Sequence, residues 1–192
     1  MTLQYSVVVV DIRNFSSHRF FLGNESKASM LTGFIKNFLD DAITSIWKIQ
    51  KARFTLIKPL FNHTGDGFVL AVPGKKSPLI MLEWLSNFKK GAEVAIKEYQ
   101  KELVELFPNN TLEPLDFGIG IHFGQVAVFK FKDFKGEESN TGFLGSAVNI
   151  ASRVEQQTKD HPYQLLCTKK FRDAVLNATT KAKNWFFRFY NG

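Results

Sequence analysis

Two aspartates in this sequence stand where a carboxylate has chemistry open to it. Asp11 closes the run Val7-Val8-Val9-Val10, where a charge must leave the core or find a cation. Asp66 sits in the tight turn Gly65-Asp66-Gly67 between two apolar segments. Each alone has an ordinary explanation, since Asp starts turns and Asp-Gly is common hairpin chemistry. If the first strand lies beside the first hairpin, both carboxylates meet at one sheet edge. Paired oxygen ligands there suit Mg²⁺ or Mn²⁺, which take a few carboxylates together with substrate phosphates.

Two further segments could serve such a site. The loop after Asp11 reads Ile12-Arg13-Asn14-Phe15-Ser16-Ser17, and small polar residues ahead of a helix offer backbone N–H groups to phosphates. Asn14 tolerates a left-handed backbone where a glycine would otherwise be needed. Later, in Gly145-Ser-Ala-Val-Asn-Ile-Ala-Ser-Arg-Val-Glu-Gln-Gln, Asn149 and Arg153 are four apart and share a helix face. Asn149 could orient a sugar hydroxyl and Arg153 neutralise a pentavalent phosphorane, although an ordinary amphipathic helix with a surface Arg has the same pattern. His63 should point to the sheet face opposite Asn62, His122 suits a hydrogen-bonded structural role, and Cys167 reads as a small buried strand residue.

The elements that must hold these residues follow from periodicity. Residues 6–12 form a strand covered on both faces. A long helix begins near Ser26, with Leu31, Phe34, Ile35, Phe38, Leu39, Ala42, Ile43 and Ile46 on one side. A hairpin joins 57–63 to 68–72 through the turn at 65–67. A second long helix covers 78–106, with Leu85, Phe88, Ala92, Ile96, Tyr99 and Leu103 in its stripe. A second hairpin is expected to pair 115–122 with 125–131 across Phe123-Gly124, and 131–143 reads as a polar loop. A helix at 145–157, a strand at 163–167, a helix at 168–177 capped by Thr168 and an aromatic strand at 184–190 complete the chain. This order predicts an α+β fold, a ferredoxin-like βαββαβ core with a mainly antiparallel sheet and helices on one face.

Composition narrows the function classes. The 192 residues suit one domain, with 44% hydrophobic and 22% charged residues and twenty Phe that imply an aromatic core or interface. A formal charge of +7 suits an anionic partner, either a nucleic acid or a phosphorylated small molecule. The lone Cys167 excludes an intrachain disulfide and a Cys-based zinc site. The valine run is too short for a membrane span and has no signal-peptide layout, so a cytoplasmic protein is expected.

These segments, in this order, resemble the class III adenylyl and guanylyl cyclase catalytic domain across residues 5–190. The family's Asp-Ile-x-x-Phe-Ser/Thr is matched by Asp11 to Ser16, its Gly-Asp by Gly65-Asp66, and its Gly-Ile-Gly-Ile-His-x-Gly by Gly118 to Gly124. Its Gly-x-x-Val-Asn-x-Ala-x-Arg-x-Glu is matched from Gly145 to Glu155. The resemblance implies that Asp11, Asp66 and the backbone carbonyl of Ile12 hold two divalent cations. It implies that Asn14, Phe15 and Ser16 contact substrate, and that Asn149 and Arg153 come from the other subunit of a homodimer with sites at the interface. The reaction implied closes a nucleoside triphosphate to a 3′,5′-cyclic monophosphate and pyrophosphate.

The departures bear on the base. Where adenylyl cyclases carry a base-reading Lys this chain has Asn62, and where they carry Asp or Thr it has Gly142. The Glu and Cys of guanylyl cyclases are absent from both positions. This combination is similar to the bacterial pyrimidine cyclases of anti-phage defence, which are stand-alone domains whose product activates a separate effector. UTP is then the expected substrate, CTP next, with Phe61 and Phe143 narrowing the base pocket. The phosphate-binding Lys usual after the family's final strand has no match before Gly192, leaving Lys132, Lys135, Arg188 or a further segment to replace it. Two rivals remain within the fold, an adenylyl cyclase with an atypical pocket and an inactive cyclase-like binding module. A nucleic-acid binder is disfavoured because most Phe fall on apolar faces.

Overall fold

The computed structural model describes residues 3–18, 25–52, 58–109, 111–132 and 138–178. Strand β1 (Gln4–Arg13) lies at the centre of a five-stranded sheet, with β3 (Gly67–Pro73) on one side and β4 (Asp116–Gln125) on the other, both antiparallel to it. Strand β2 (Leu60–His63) pairs with β3 at one edge, and β7 (Leu165–Cys167) runs parallel to β4 at the other. A central strand has both faces covered, which is why its valines run without alternation.

Alternation along β1 sorts the two layers. Val8, Val10 and Ile12 enter the large core with the helices α2 (Glu25–Ala52), α3 (Ser77–Leu106) and α5 (Lys169–Ala178). The expected stripes of α2 and α3 are the ones that bury, and their aromatic rings interlock: Trp84 stacks on Phe88 at 4.7 Å, and Phe88 meets Phe38 edge-on at 5.4 Å. Several of the twenty Phe are therefore core residues, Phe34, Phe38, Phe68, Phe88, Phe117 and Phe171 among them. Trp84 donates its indole N–H to the Ala42 carbonyl at 3.0 Å, satisfying a polar group that burial would otherwise penalise. Thr168 caps α5 by accepting the Phe171 N–H, as expected.

Tyr5, Val7 and Val9 face the other way, into a smaller core closed by α4 (Ser146–Gln157), so helices lie on both faces of the sheet rather than on one. Beyond the short helix α1 (Phe15–His18), the remaining elements are β5 (Ala127–Lys132) and β6 (Glu138–Leu144). Here the structure corrects the sequence reading. The expected hairpin across Phe123-Gly124 does not form. β4 continues to Gln125 along β1, and β5 pairs instead with β6, a strand within the stretch read as a polar loop. Gly118, Gly120 and Gly124 leave one face of β4 bare because α4 lies against it: a Cβ at Gly120 would strike the Ala151 carbonyl and the Glu155 backbone nitrogen. The glycines mark a helix crossing, not a turn. The strand expected at 184–190 lies outside the described residues.

Candidate active site

The β1–β3 register sets Asp11 opposite Gly67, one residue past Asp66. Gly65 takes φ +98 in the turn, a conformation open chiefly to glycine, and this brings the Asp66 carbonyl to accept the Ile12 N–H at 3.1 Å. Asp11, Ile12 and Asp66 are thereby tied together at the end of the sheet where β1 finishes and β3 begins. By alternation Asp11 follows Val7 and Val9 onto the α4 face, while Ile12 is buried in the large core, so only its backbone can serve the site.

Three residues that the sequence reading gave no role close this end. Lys159 sits with Nζ 3.6 Å from Asp11 Oδ2. Glu155 is only 4% exposed, and its Oε1 is buried without a hydrogen-bond partner, packed where any side chain at Gly118 would intrude. Arg13 pairs with Asp116 at 3.3 Å and donates to the Thr158 hydroxyl. For Glu155 the signal lay in the helix period: Ala147, Ala151 and Glu155, spaced four apart, form the buried stripe of α4 against the sheet.

Charge at this end is unbalanced toward negative. Burial pushes the Asp11 carboxyl above its ordinary value and the Asp66 charge pushes it further, with Lys159 and Arg13 opposing. Glu155 is raised for the same kind of reason, burial first and then the Asp11 charge. Among the described residues, no group of three or more His, Cys, Asp and Glu side chains is arranged to hold a metal. Two carboxylates and one backbone carbonyl remain. That donor set fits a hard divalent cation whose shell is completed by water and substrate phosphate oxygens, and the uncompensated acidity fits its charge.

The turn beyond Asp11 is held from outside. Asn14 takes φ +63, the left-handed backbone anticipated for it, and its side chain donates to the Pro114 carbonyl at 2.8 Å. Ser16 is exposed and Phe15 packs partly against the large core. His18, fully buried, anchors this turn: its Nε2 meets the Glu113 carbonyl at 2.8 Å and its Nδ1 meets the Tyr99 hydroxyl at 2.9 Å. A carbonyl only accepts, so Nε2 carries the proton and Tyr99 donates to Nδ1. Nothing in the spacing of His18 announced this.

Asn149 and Arg153 are both exposed. Ala147 and Ala151 face the sheet, and residues two further along a helix are turned by about 200°, so both side chains point away from it. The chain does not bring them to its own Asp11 and Asp66.

At the base-reading positions the outcome is mixed. Asn62 pairs with Val69, a member of the smaller core, and so opens on the α4 face, while His63 alternates away as expected. Strand β6, carrying Gly142, touches β2. Of the two residues expected to narrow the pocket, Phe61 lies on the opposite sheet face, stacked on Phe68 at 5.1 Å, while Phe143 is buried in the smaller core, on the face to which Asn62 opens. Against Gly142 lies Phe129, which the sequence reading passed over. Of the replacement cations, Lys132 is exposed on β5, and Lys135 and Arg188 lie outside the described residues.

No family model matches this sequence, and no curated protein matches it closely. Solved structures do resemble the fold. The adenylyl cyclase CyaB from P. aeruginosa superposes with a TM-score of 0.65 at 19% identity, covering 92% of this chain and 82% of its own. A bacterial light-regulated adenylyl cyclase gives 0.61 at 18%, over 91% of this chain but 45% of its own, so this chain spans less than half of that protein. A guanylyl cyclase gives 0.56 at 18%, covering 91% and 80%. The fold is that of a nucleotide cyclase catalytic domain. Among the described residues, no helix is long and apolar enough to cross a membrane.

Proposed function

We propose that this protein is a nucleotide cyclase acting on a pyrimidine nucleoside triphosphate, UTP before CTP, to release pyrophosphate and the 3′,5′-cyclic monophosphate. One observation carries the reading. Asp11 and Asp66 are brought together by the Ile12–Asp66 hydrogen bond at one end of the sheet, beside the buried carboxyl of Glu155, in a fold shared with cyclases.

Asp11, Asp66 and the Ile12 carbonyl would hold two Mg²⁺ or Mn²⁺ ions, which when bound supply Lewis acidity toward the ribose 3′-hydroxyl and the triphosphate. The protein's own part is positioning and neutralisation. The Asn14–His18 turn would hold phosphate oxygens through backbone N–H groups, with Ser16 at its exposed side, and the His18–Tyr99 bond keeps that turn in place. Lys159, already beside Asp11, would meet the departing pyrophosphate in place of the family's late Lys. Asn149 would orient the ribose and Arg153 would stabilise charge at the phosphorane. Both project away from their own sheet, which supports a homodimer whose sites combine one subunit's carboxylates with the partner's helix. Asn62 and Gly142 mark the base subsite, where an amide can pair with uracil or cytosine by flipping. A product of this kind would act on a separate effector in anti-phage defence; neither nucleic acid nor membrane takes part, and the setting is cytoplasmic.

The test is a reaction with ATP, GTP, CTP and UTP present together with Mn²⁺, resolved by chromatography. Cyclic UMP, with less cyclic CMP, is expected. Cyclic AMP or cyclic GMP as the main product would overturn the pyrimidine assignment and leave cyclisation standing.

A further inference from the structure

Among the described residues Glu155 is the only buried acidic side chain, and the reaction set out above gives it no part. Its Oε1 has no hydrogen-bond partner, which is costly for a carboxylate held away from water. Gly118 pairs with Asp11 across β4 and β1, and residues opposite each other in an antiparallel pair share a face. A Cβ at Gly118 would strike Glu155 Oε1 and the Thr158 hydroxyl oxygen. Glu155 therefore reaches from α4 into the space beside Asp11 that a side chain at 118 would fill. Two cations stand near it. Arg13 is committed elsewhere, to Asp116 at 3.3 Å and to the Thr158 hydroxyl. Lys159 lies in the turn Thr158–Asp160 that follows α4, with Nζ 3.6 Å from Asp11 Oδ2 on a side chain 54% exposed and able to swing. Burial raises the Asp11 and Glu155 carboxyls, a neighbouring carboxylate raises each further, and Lys159 opposes the shift at both. One ammonium thus serves two carboxylates.

We infer that Lys159 is the built-in counter-ion of Asp11 before a divalent cation binds, and that Glu155 is the positioning residue that receives Lys159 when the cation takes its place. This rests on the two-metal reading above. Two physical consequences follow. Metal uptake is an exchange of one cation for another, so the ion pair at Asp11 must be broken and weakens the apparent affinity. The displaced ammonium stays beside the site on Glu155 instead of passing into solvent, where it is placed to meet phosphate oxygens. Glycine at 118 is then required by the carboxylate above it, and Gly118, Glu155 and Lys159 form one device.

The experiment titrates Mn²⁺ alone into the full chain by calorimetry, without nucleotide, for wild type, Lys159→Met, Glu155→Gln and the double variant. Circular dichroism reports folding throughout. Lys159→Met should bind Mn²⁺ about two- to fivefold more tightly than wild type, the ratio a partly exposed ion pair supplies. Glu155→Gln should bind it more weakly, and that loss should shrink in the Lys159→Met background, because a receiving carboxylate matters most when there is a lysine to receive. Equal or weaker Mn²⁺ affinity in Lys159→Met overturns the inference, and this exposed substitution decides it even if Glu155→Gln does not fold. An equal loss from Glu155→Gln with and without Lys159 also overturns it, since Glu155 would then act on the cation directly. A parallel reaction with the four nucleoside triphosphates separates the two readings. The expected Mn²⁺ pattern with no cyclic nucleotide from wild type sinks cyclisation and leaves the exchange standing. If wild type takes up no Mn²⁺, the metal reading falls and takes this inference with it.

Discussion

At position 11, burial and the Asp66 charge favour the protonated acid while Lys159 and Arg13 favour the anion, and the balance is upward. An acid whose folded pKa is raised binds its proton more tightly in the folded chain than in the unfolded one. Its contribution to stability is full below the ordinary value of 3.8 and is lost as pH rises through the folded pKa. Once ionised, the Asp11 carboxylate is therefore a cost to the metal-free fold. Asp11→Asn should keep or raise the melting temperature of the metal-free protein at pH 7 while abolishing cyclisation, and added Mn²⁺ should raise the melting temperature of wild type alone. A variant that melts well below wild type without metal would show that Asp11 holds the fold together instead. Asp66→Asn should likewise be inactive and folded, read by circular dichroism and product analysis.

Element by element, the site depends on how closely α4 lies on β4. Gly120 is where the helix backbone touches the strand, so Gly120→Ala cannot be relieved by turning a flexible side chain. The expected cost is about 1–3 kcal/mol of unfolding free energy, the usual range for overpacking, measured by urea denaturation. Where β4 passes toward α5, His122 bonds the Thr168 hydroxyl at 2.9 Å, and burial, aided by Lys170, lowers its pKa below the ordinary 6.5. Folding favours the neutral ring, so its contribution is full above pH 6.5 and is lost as pH falls through the depressed folded value. His122→Gln should flatten that acid-side slope; an unchanged slope would place the titration elsewhere. These contacts also mark what was legible in advance. The stripes of α2 and α3, the Asp66 turn and the left-handed Asn14 were written in residue types whose local physics has one outcome. The glycine run of β4 was not, because bare backbone suits both a turn and a helix crossing, and only the position of α4 decides. Phe61 was misplaced for a related reason: alternation turns it to the face opposite its neighbour Asn62.

For the whole molecule, the central claim is that the carboxylate end and the Asn149–Arg153 face belong to one reaction but to two chains. In the sequence only the family resemblance implied this, because a helix face looks the same whether it serves its own sheet or another. Asp11→Asn and Arg153→Ala should each be inactive as homodimers. In a mixed dimer both lesions fall in one site and the other is intact. Free exchange of the two inactive proteins should therefore restore about a quarter of wild-type activity, half the dimers being mixed and each having one good site of two. Complementation followed by cyclic nucleotide production is the most direct test, with subunit exchange confirmed by mass. Recovery near that level is the predicted result; no recovery despite proven exchange would contradict a site shared between chains.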